Sequence, residues 1–146
     1  MISPIHFGSR SIIPPWIIDI ERYCFGDVWV SIGEDEHILA IPSFSFARWR
    51  VSECIQEAEL LRIGVASQLR RTGYGRAILQ YSQNRMAEIG ITTLLLEVRA
   101  SNMVARSLYE SEGWSCLGLR RGYYRDGEDA MNYQRKISNV ILSVSM

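Results

Sequence analysis

The segment Arg70-Arg71-Thr72-Gly73-Tyr74-Gly75-Arg76 constrains this chain most, because it puts two glycines where a strand runs into a helix. Ahead of it, Glu57 to Val65 is apolar on both faces, with Leu61, Ile63 and Val65 on one and Ala58 and Leu60 on the other. That pattern predicts a strand covered on both sides, and therefore a central one. Behind it, Ile78, Ser82, Met86 and Ile89 fall on one helical stripe that Gly90 terminates, which gives a helix over about 75–89. Thr92 to Val98 reads as the next strand, and Asn102 caps a helix over about 103–112 closed by Gly113. A glycine loop that opens a helix offers bare backbone N–H groups and the positive end of the helix dipole, which is what a phosphate ligand needs.

The flanking segments complete a single layered unit. Ile2 to Phe7 predicts a short strand, and Pro14-Pro15 opens a first helix over about 15–25, ended by Gly26. Gly33-Glu34-Asp35-Glu36 is a charged turn before a hairpin of His37 to Ile41 and Phe44 to Val51. In the second of these strands the apolar set shifts phase, from Phe44 and Phe46 to Ala47, Trp49 and Val51, which points to a bulge or a change of face. Trp114 to Leu119 and Asp129 to Ile137 predict a closing antiparallel pair around Arg125-Asp126-Gly127-Glu128. With no repeat, linker or low-complexity segment, residues 1–146 read as one domain of α/β (α+β) class.

Composition narrows the partners. Lys plus Arg and Asp plus Glu are equal at 16 each, so no global field favours a nucleic acid or an anionic membrane. Any recognition of phosphate must be local. The three cysteines, Cys24, Cys54 and Cys116, form no CxxC pair and suggest neither a disulfide framework nor a zinc site. His6 and His37 are too few and too far apart in sequence for a metal centre or a Ser-His-Asp triad, so no metal is expected. Residues 1–20 are too broken by proline for a spanning or signal segment, and a cytoplasmic location is the expectation.

The glycine turn fits neither common nucleotide motif. No lysine follows Gly75 as a Walker loop requires, and Leu79 stands at the third-glycine position of a dinucleotide fingerprint. An isolated G-x-G is equally well a plain tight turn. The crowding of Arg70, Arg71 and Arg76 around it favours an anion.

The loop Arg70-x-x-Gly73-x-Gly75 resembles the Q/R-x-x-G-x-G/A pattern of the GNAT superfamily of acetyl-coenzyme A dependent N-acetyltransferases. The similarity sharpens at Glu97-Val98-Arg99-Ala100-Ser101-Asn102, at Leu108-Tyr109-Glu110-Ser111 with Gly113-Trp114, and at Arg120-Arg121-Gly122-Tyr123-Tyr124 with Glu128-Asp129-Ala130. Over residues 57–137 the chain looks like the RimI-type ribosomal-protein alanine N-acetyltransferases. The resemblance implies a mixed, twisted sheet with helices on both faces and two splayed central strands that admit acetyl-CoA. It also implies that Ile63, Gly64 and Val65 meet the pantetheine arm, that Arg71, Thr72, Gly73, Tyr74, Gly75 and Arg76, with Arg70 before them, hold the pyrophosphate, and that Asn102 is a further coenzyme contact. Glu97 matches the general base, Tyr109 the general acid, and Tyr123 and Tyr124 the loop at the peptide site. The implied reaction is direct acetyl transfer in a ternary complex to the N-terminal α-amine of a protein, first of all the alanine of a small-subunit ribosomal protein. The alternatives are transfer to a small-molecule amine or a lysine side chain, and an idle acyl-CoA binding module.

Each site residue also has a plainer reading. Glu97 suits an exposed acid paired with Arg99 or Arg106, Tyr109 suits core filling, Asn102 suits a simple cap, and Tyr123-Tyr124 suits strand aromatics. The departures from the family pattern bear on the acceptor. The stretch between Phe25 and Glu57 is short, Gly64 replaces a common alanine, Gly122 a common asparagine and Tyr133 a common methionine. Oligomeric state is not legible in the sequence.

Overall fold

The computed structural model describes residues 4–26, 32–69 and 73–138. Its elements, in chain order, are β1 (Ile5–Phe7), α1 (Pro15–Phe25), β2 (Glu36–Ile41), β3 (Ser45–Ser52), β4 (Glu57–Val65), α2 (Tyr74–Glu88), β5 (Thr93–Arg99), α3 (Met103–Ser111), β6 (Ser115–Arg120) and β7 (Ala130–Lys136). The strands form one mixed sheet in the order β1-β2-β3-β4-β5-β7-β6. Only β4 and β5 run parallel, as two strands joined by a crossover helix must.

Helices lie on both faces. On one, Ile78, Leu79 and Met86 of α2 and Tyr109 of α3 pack with Leu39, Trp49, Leu60, Leu94, Leu96 and Tyr133. On the other, Ile17 and Ile20 of α1 pack with Ile38, Ala40 and Phe46. The middle strands are apolar on both faces because both faces are covered. Pro15 starts α1, and Gly26, at φ +67°, ends it with its N–H on the Arg22 carbonyl. In α2 the stripe Ile78, Ser82 and Met86 is buried, whereas Ile89 is exposed just past the helix end.

The facing assigned to β4 from sequence is corrected by a bulge. Arg48 of β3 pairs with Arg62, but its neighbour Trp49 pairs with Leu60, so Leu61 is an extra residue on β4. An unpaired residue turns the following side chains over. Ala58 and Leu60 before the bulge and Ile63 after it therefore join the same cluster, under α2 and α3. The phase shift in β3 is plain alternation between two covered faces, with Phe46 under α1 and Ala47, Trp49 and Val51 under α2. Gly64 now faces α1, and a Cβ there would lie 2.5 Å from the Phe46 ring and 2.9 Å from Ile20. Glycine at this position is the condition for the close approach of α1.

Candidate active site

The centre of the sheet is open. Pairing between β4 and β5 covers only Glu57–Leu60 against Thr93–Leu96. Beyond that, β4 stays bonded to β3 as far as Val65, and β5 stays bonded to β7 as far as Arg99. Each strand is held by its outer neighbour while the bulge at Leu61 adds local twist, so the two diverge. The β5-facing backbone groups of Ile63 and Val65 are left outside the ladder, the Val65 carbonyl accepting from Cys24 Sγ at 3.6 Å, while Gly64 between them, opposite Phe46, turns its own toward β3.

The N-terminus of α2 lies beyond the far end of β4. Gly73 caps it at φ +91° with no side-chain cap, and no acidic residue occupies the first turn, so the N–H groups there remain available to an anion. Tyr74 is fixed by its ring against Phe44 at 4.6 Å and by the Ser45 hydroxyl, which donates to its carbonyl at 3.1 Å. Arg76 corrects part of the sequence argument. Its guanidinium turns to α3, where it donates to Ser111 Oγ at 2.9 Å and to Glu112 Oε2 at 2.6 Å. The Arg76 charge is thus neutralised at the helix junction, and its contribution to an anion site is confined to its backbone. Arg70, Arg71 and Thr72 lie outside the described residues.

Glu97 and Tyr109 lie on opposite faces of β5, Glu97 on the stretch of that strand beyond its pairing with β4. Leu94, Leu96 and Val98 point into the cluster that contains Tyr109, so Glu97, out of phase with them, points to the other side. There its Oε1 accepts from Arg120 at 2.7 Å, across the intervening β7. This differs from both partners suggested by sequence. Arg99 pairs instead with Asp126 and Glu128, each at 2.9 Å, while Arg106 donates to Tyr133 and to the Ala100 carbonyl.

Tyr109 is only 8% exposed. Burial, with a smaller contribution from Tyr124, pushes its pKa up to about 12. The phenol is therefore protonated throughout the physiological range. Its ring is set by Trp114 at 5.8 Å and Tyr133 at 6.3 Å. Tyr133 also accounts for its departure from the family pattern, because its hydroxyl donates to Glu110 at 2.5 Å and accepts from Arg106 at 3.1 Å. Both partners belong to α3, so Tyr133 ties the helix that carries Tyr109 to β7.

The loop between β6 and β7 overhangs the Glu97 face. Arg99 stacks on Tyr124 at 4.1 Å and Arg120 on Tyr123 at 5.0 Å, while the two tyrosines meet edge to face at 5.1 Å. Hydrogen bonding to Glu97 raises the Tyr123 pKa, and burial raises that of Tyr124. The loop is tied back by Glu128, which accepts from the Ser101 N–H at 3.0 Å, and by Asp129, which accepts from Gly122 at 2.8 Å. Asn102 caps α3 by accepting from the Ala105 N–H. Ile63, Gly64 and Val65 thus border the gap from β4 and Glu97 from β5, with the tyrosine pair beside Glu97 and Tyr109 under the other face of β5. Two further residues on the Glu97 face, Arg120 and Asn132, become evident only from the register of β5, β7 and β6. Among the described residues no helix is long and apolar enough to cross a membrane.

Comparison with known proteins agrees with this geometry. Residues 3–114 match the Acetyltransferase (GNAT) family. The chain is 45% identical over 80 residues to ribosomal protein bS18-alanine N-acetyltransferase of Escherichia coli K12, a match covering 53% of this chain and 54% of that protein. It is 40% identical over 77 residues to an N-alpha-acetyltransferase of Sulfurisphaera tokodaii, covering 52% and 46%. In these matches the chain spans about half the length of the relatives. The crystal structure of the Escherichia coli ribosomal-protein-S18-alanine N-acetyltransferase superposes with a TM-score of 0.77 and 32% identity over 93% of this chain and 95% of that one. A splayed parallel pair in a mixed sheet, reached by an uncapped helix start and matched in sequence over most of its length, has one consistent reading: the chain belongs to the GNAT acetyltransferase family.

Proposed function

We propose that this protein transfers an acetyl group from acetyl-CoA to the α-amine of a polypeptide N-terminus, by direct attack in a ternary complex. The acceptor the relatives favour is the N-terminal alanine of a small-subunit ribosomal protein. The observation that carries the proposal is the gap between β4 and β5, with Glu97 on one face of β5 and the buried Tyr109 on the other. The backbone of Ile63 to Val65 holds the pantetheine arm, and the start of α2 from Gly73 to Arg76, with Arg70, Arg71, Thr72 and Asn102, holds the rest of the coenzyme.

Only the free amine attacks a thioester. Glu97 takes the ammonium proton, directly or through water; the new C–N bond forms and the C–S bond breaks. Tyr109, kept protonated by its raised pKa, donates to the departing sulfur and is reprotonated by the second proton that the nitrogen loses as the amide forms. A terminal amine, with an ordinary pKa of about 7.7–8.0 against about 10.4 for lysine, yields its proton near neutrality at much lower cost. Tyr123 and Tyr124 line the path of the acceptor peptide.

The test offers acetyl-CoA with an alanine-first peptide, the same peptide with a blocked terminus and an internal lysine, and free polyamines, read by mass spectrometry. Faster turnover on the blocked peptide or on polyamines would overturn the N-terminal assignment. Glu97→Gln and Tyr109→Phe are each expected to lower kcat about 100-fold to 10,000-fold with little change in coenzyme affinity. Near-native turnover in both would refute the catalytic roles.

A further inference from the structure

Among the described residues, three buried side-chain atoms lack a hydrogen-bond partner: Glu21 Oε2, Trp49 Nε1 and Asn132 Oδ1. Glu21 belongs to α1, where its other oxygen accepts from Arg48 and Arg62, and Trp49 is in the core under α2. Asn132 stands at the reaction site. On β7 it is directly opposite Glu97 of β5 and Gly118 of β6, so all three share one face. Side chains directly opposed in an antiparallel pair have Cβ atoms about 4.5–5.5 Å apart.

A carboxamide at this position has no evident structural use. The backbone of β7 is paired with β5 on one edge and with β6 on the other, apart from the bulge at Leu117 of β6 beside Asn132, and the carboxamide oxygen takes no hydrogen bond from that bulge. A buried acceptor without a donor is unfavourable, and an apolar side chain would pack here without that cost. Room lies on the β6 side, where a Cβ built on Gly118 would touch nothing within 4 Å. The ion pair of Glu97 with Arg120 of β6 spans the same strand. A polar niche with room and two to four polar partners is where a protein holds an ordered water.

We propose that Asn132 is a positioning residue for the proton traffic of Glu97. Its carboxamide, together with Glu97 and Arg120, holds a water that carries the proton from Glu97 to solvent after the amine has been deprotonated. The protons balance: the ammonium proton moves to the Glu97 carboxylate, from there to the water and on to bulk solvent, which restores the carboxylate, while the second proton the nitrogen loses as the amide forms replaces the one Tyr109 gives to the sulfur. The reading holds for either orientation of the carboxamide, since its oxygen accepts from a water and its NH2 donates to one. It rests on the acetyl-transfer function proposed above.

Two measurements test it. A high-resolution crystal structure of the unmodified protein is expected to show an ordered water within hydrogen-bond reach of Asn132 and Glu97; a dry, fully packed Asn132 overturns the proposal. In kinetics, Asn132→Leu is expected to lower kcat about tenfold and to raise the solvent deuterium isotope effect on kcat, with acceptor KM and coenzyme Kd little changed. Asn132→Ser, which keeps a hydroxyl for the water, is expected to recover most of the rate. An unchanged kcat in a folded Leu variant, or a loss that serine does not recover, overturns it. If the unmodified protein acetylates no amine, the functional reading fails with it, whereas normal turnover with indifferent Asn132 variants removes this inference alone.

Discussion

At the scale of single residues, positions that depart from the family pattern carry the clearest consequences. Gly64 is one, because the Cβ of an alanine would meet the Phe46 ring and Ile20, and Phe46 is fully buried. Overpacking of this kind costs about 1–3 kcal/mol, so Gly64→Ala is expected to lower the urea midpoint with an unchanged slope. A variant as stable as the parent would mean that α1 shifts freely, contrary to its packing here. Tyr109 gives a second expectation, with the opposite pH sense from acid unfolding. Its pKa rises from 10.0 to about 12 on folding, so the neutral phenol is favoured in the folded state. The stability this contributes is whole below pH 10 and is lost as pH climbs toward 12. Comparing urea midpoints across that range, the parent should lose more stability than Tyr109→Phe; parallel curves would place the hydroxyl in solvent.

Elements differ in how far local sequence determines them. Helix α2, strand β5 and the Asn102 cap are legible because each depends on periodicity or on a neighbour three residues away. The bulge at Leu61 is not, since a strand apolar on both faces reads the same with its facing inverted beyond the extra residue. The partner of Glu97 is hidden for a different reason. Arg120 reaches it only because β7 inserts between β5 and β6, and no spacing in the sequence states that order. Asn132 escapes notice for the same reason. The loop between β6 and β7 is the element on which a pH prediction falls. Glu128 lies below its ordinary 4.5 through its bonds to Ser101 and Arg99, and Asp126 below its ordinary 3.8 through its bond to the Glu128 backbone and then Arg99. Depressed carboxylate pKa values stabilise the fold above those ordinary values, and the contribution is lost as pH falls through the lower folded ones. Protection of the amides of Ser101, Gly122 and Tyr124, measured against their intrinsic exchange rates, should thus hold at pH 5 and fall below the ordinary carboxylate range; protection already lost at pH 5 would show that Arg99 does not hold the loop.

For the whole molecule, the decisive property is a sheet built to remain open at its centre. Strand β4 is fastened to β3 on both sides of the bulge at Leu61 and β5 to β7 along its whole length, with α1 on one face and α2 and α3 on the other, so each strand beyond Leu60 is held by its outer neighbour. This is legible in the sequence only as a family resemblance, because splaying is a property of two strands and their outer neighbours together. It predicts an uneven pattern of hydrogen exchange. In the free protein, the amides of residues 61–65 that face β5 should exchange faster than those of residues 57–60 that pair with it. Acetyl-CoA, taking up those backbone groups, should slow the first set while leaving the second nearly unchanged. A ligand present at 100 times its Kd also stabilises the state it binds by about 2.7 kcal/mol, so the thermal midpoint should rise with coenzyme concentration. Residue-resolved exchange by NMR with and without acetyl-CoA distinguishes the outcomes. Uniform protection across β4 in the free protein would mean that the gap is closed in solution, and a rise in thermal midpoint without protection at residues 61–65 would place the coenzyme elsewhere on the fold.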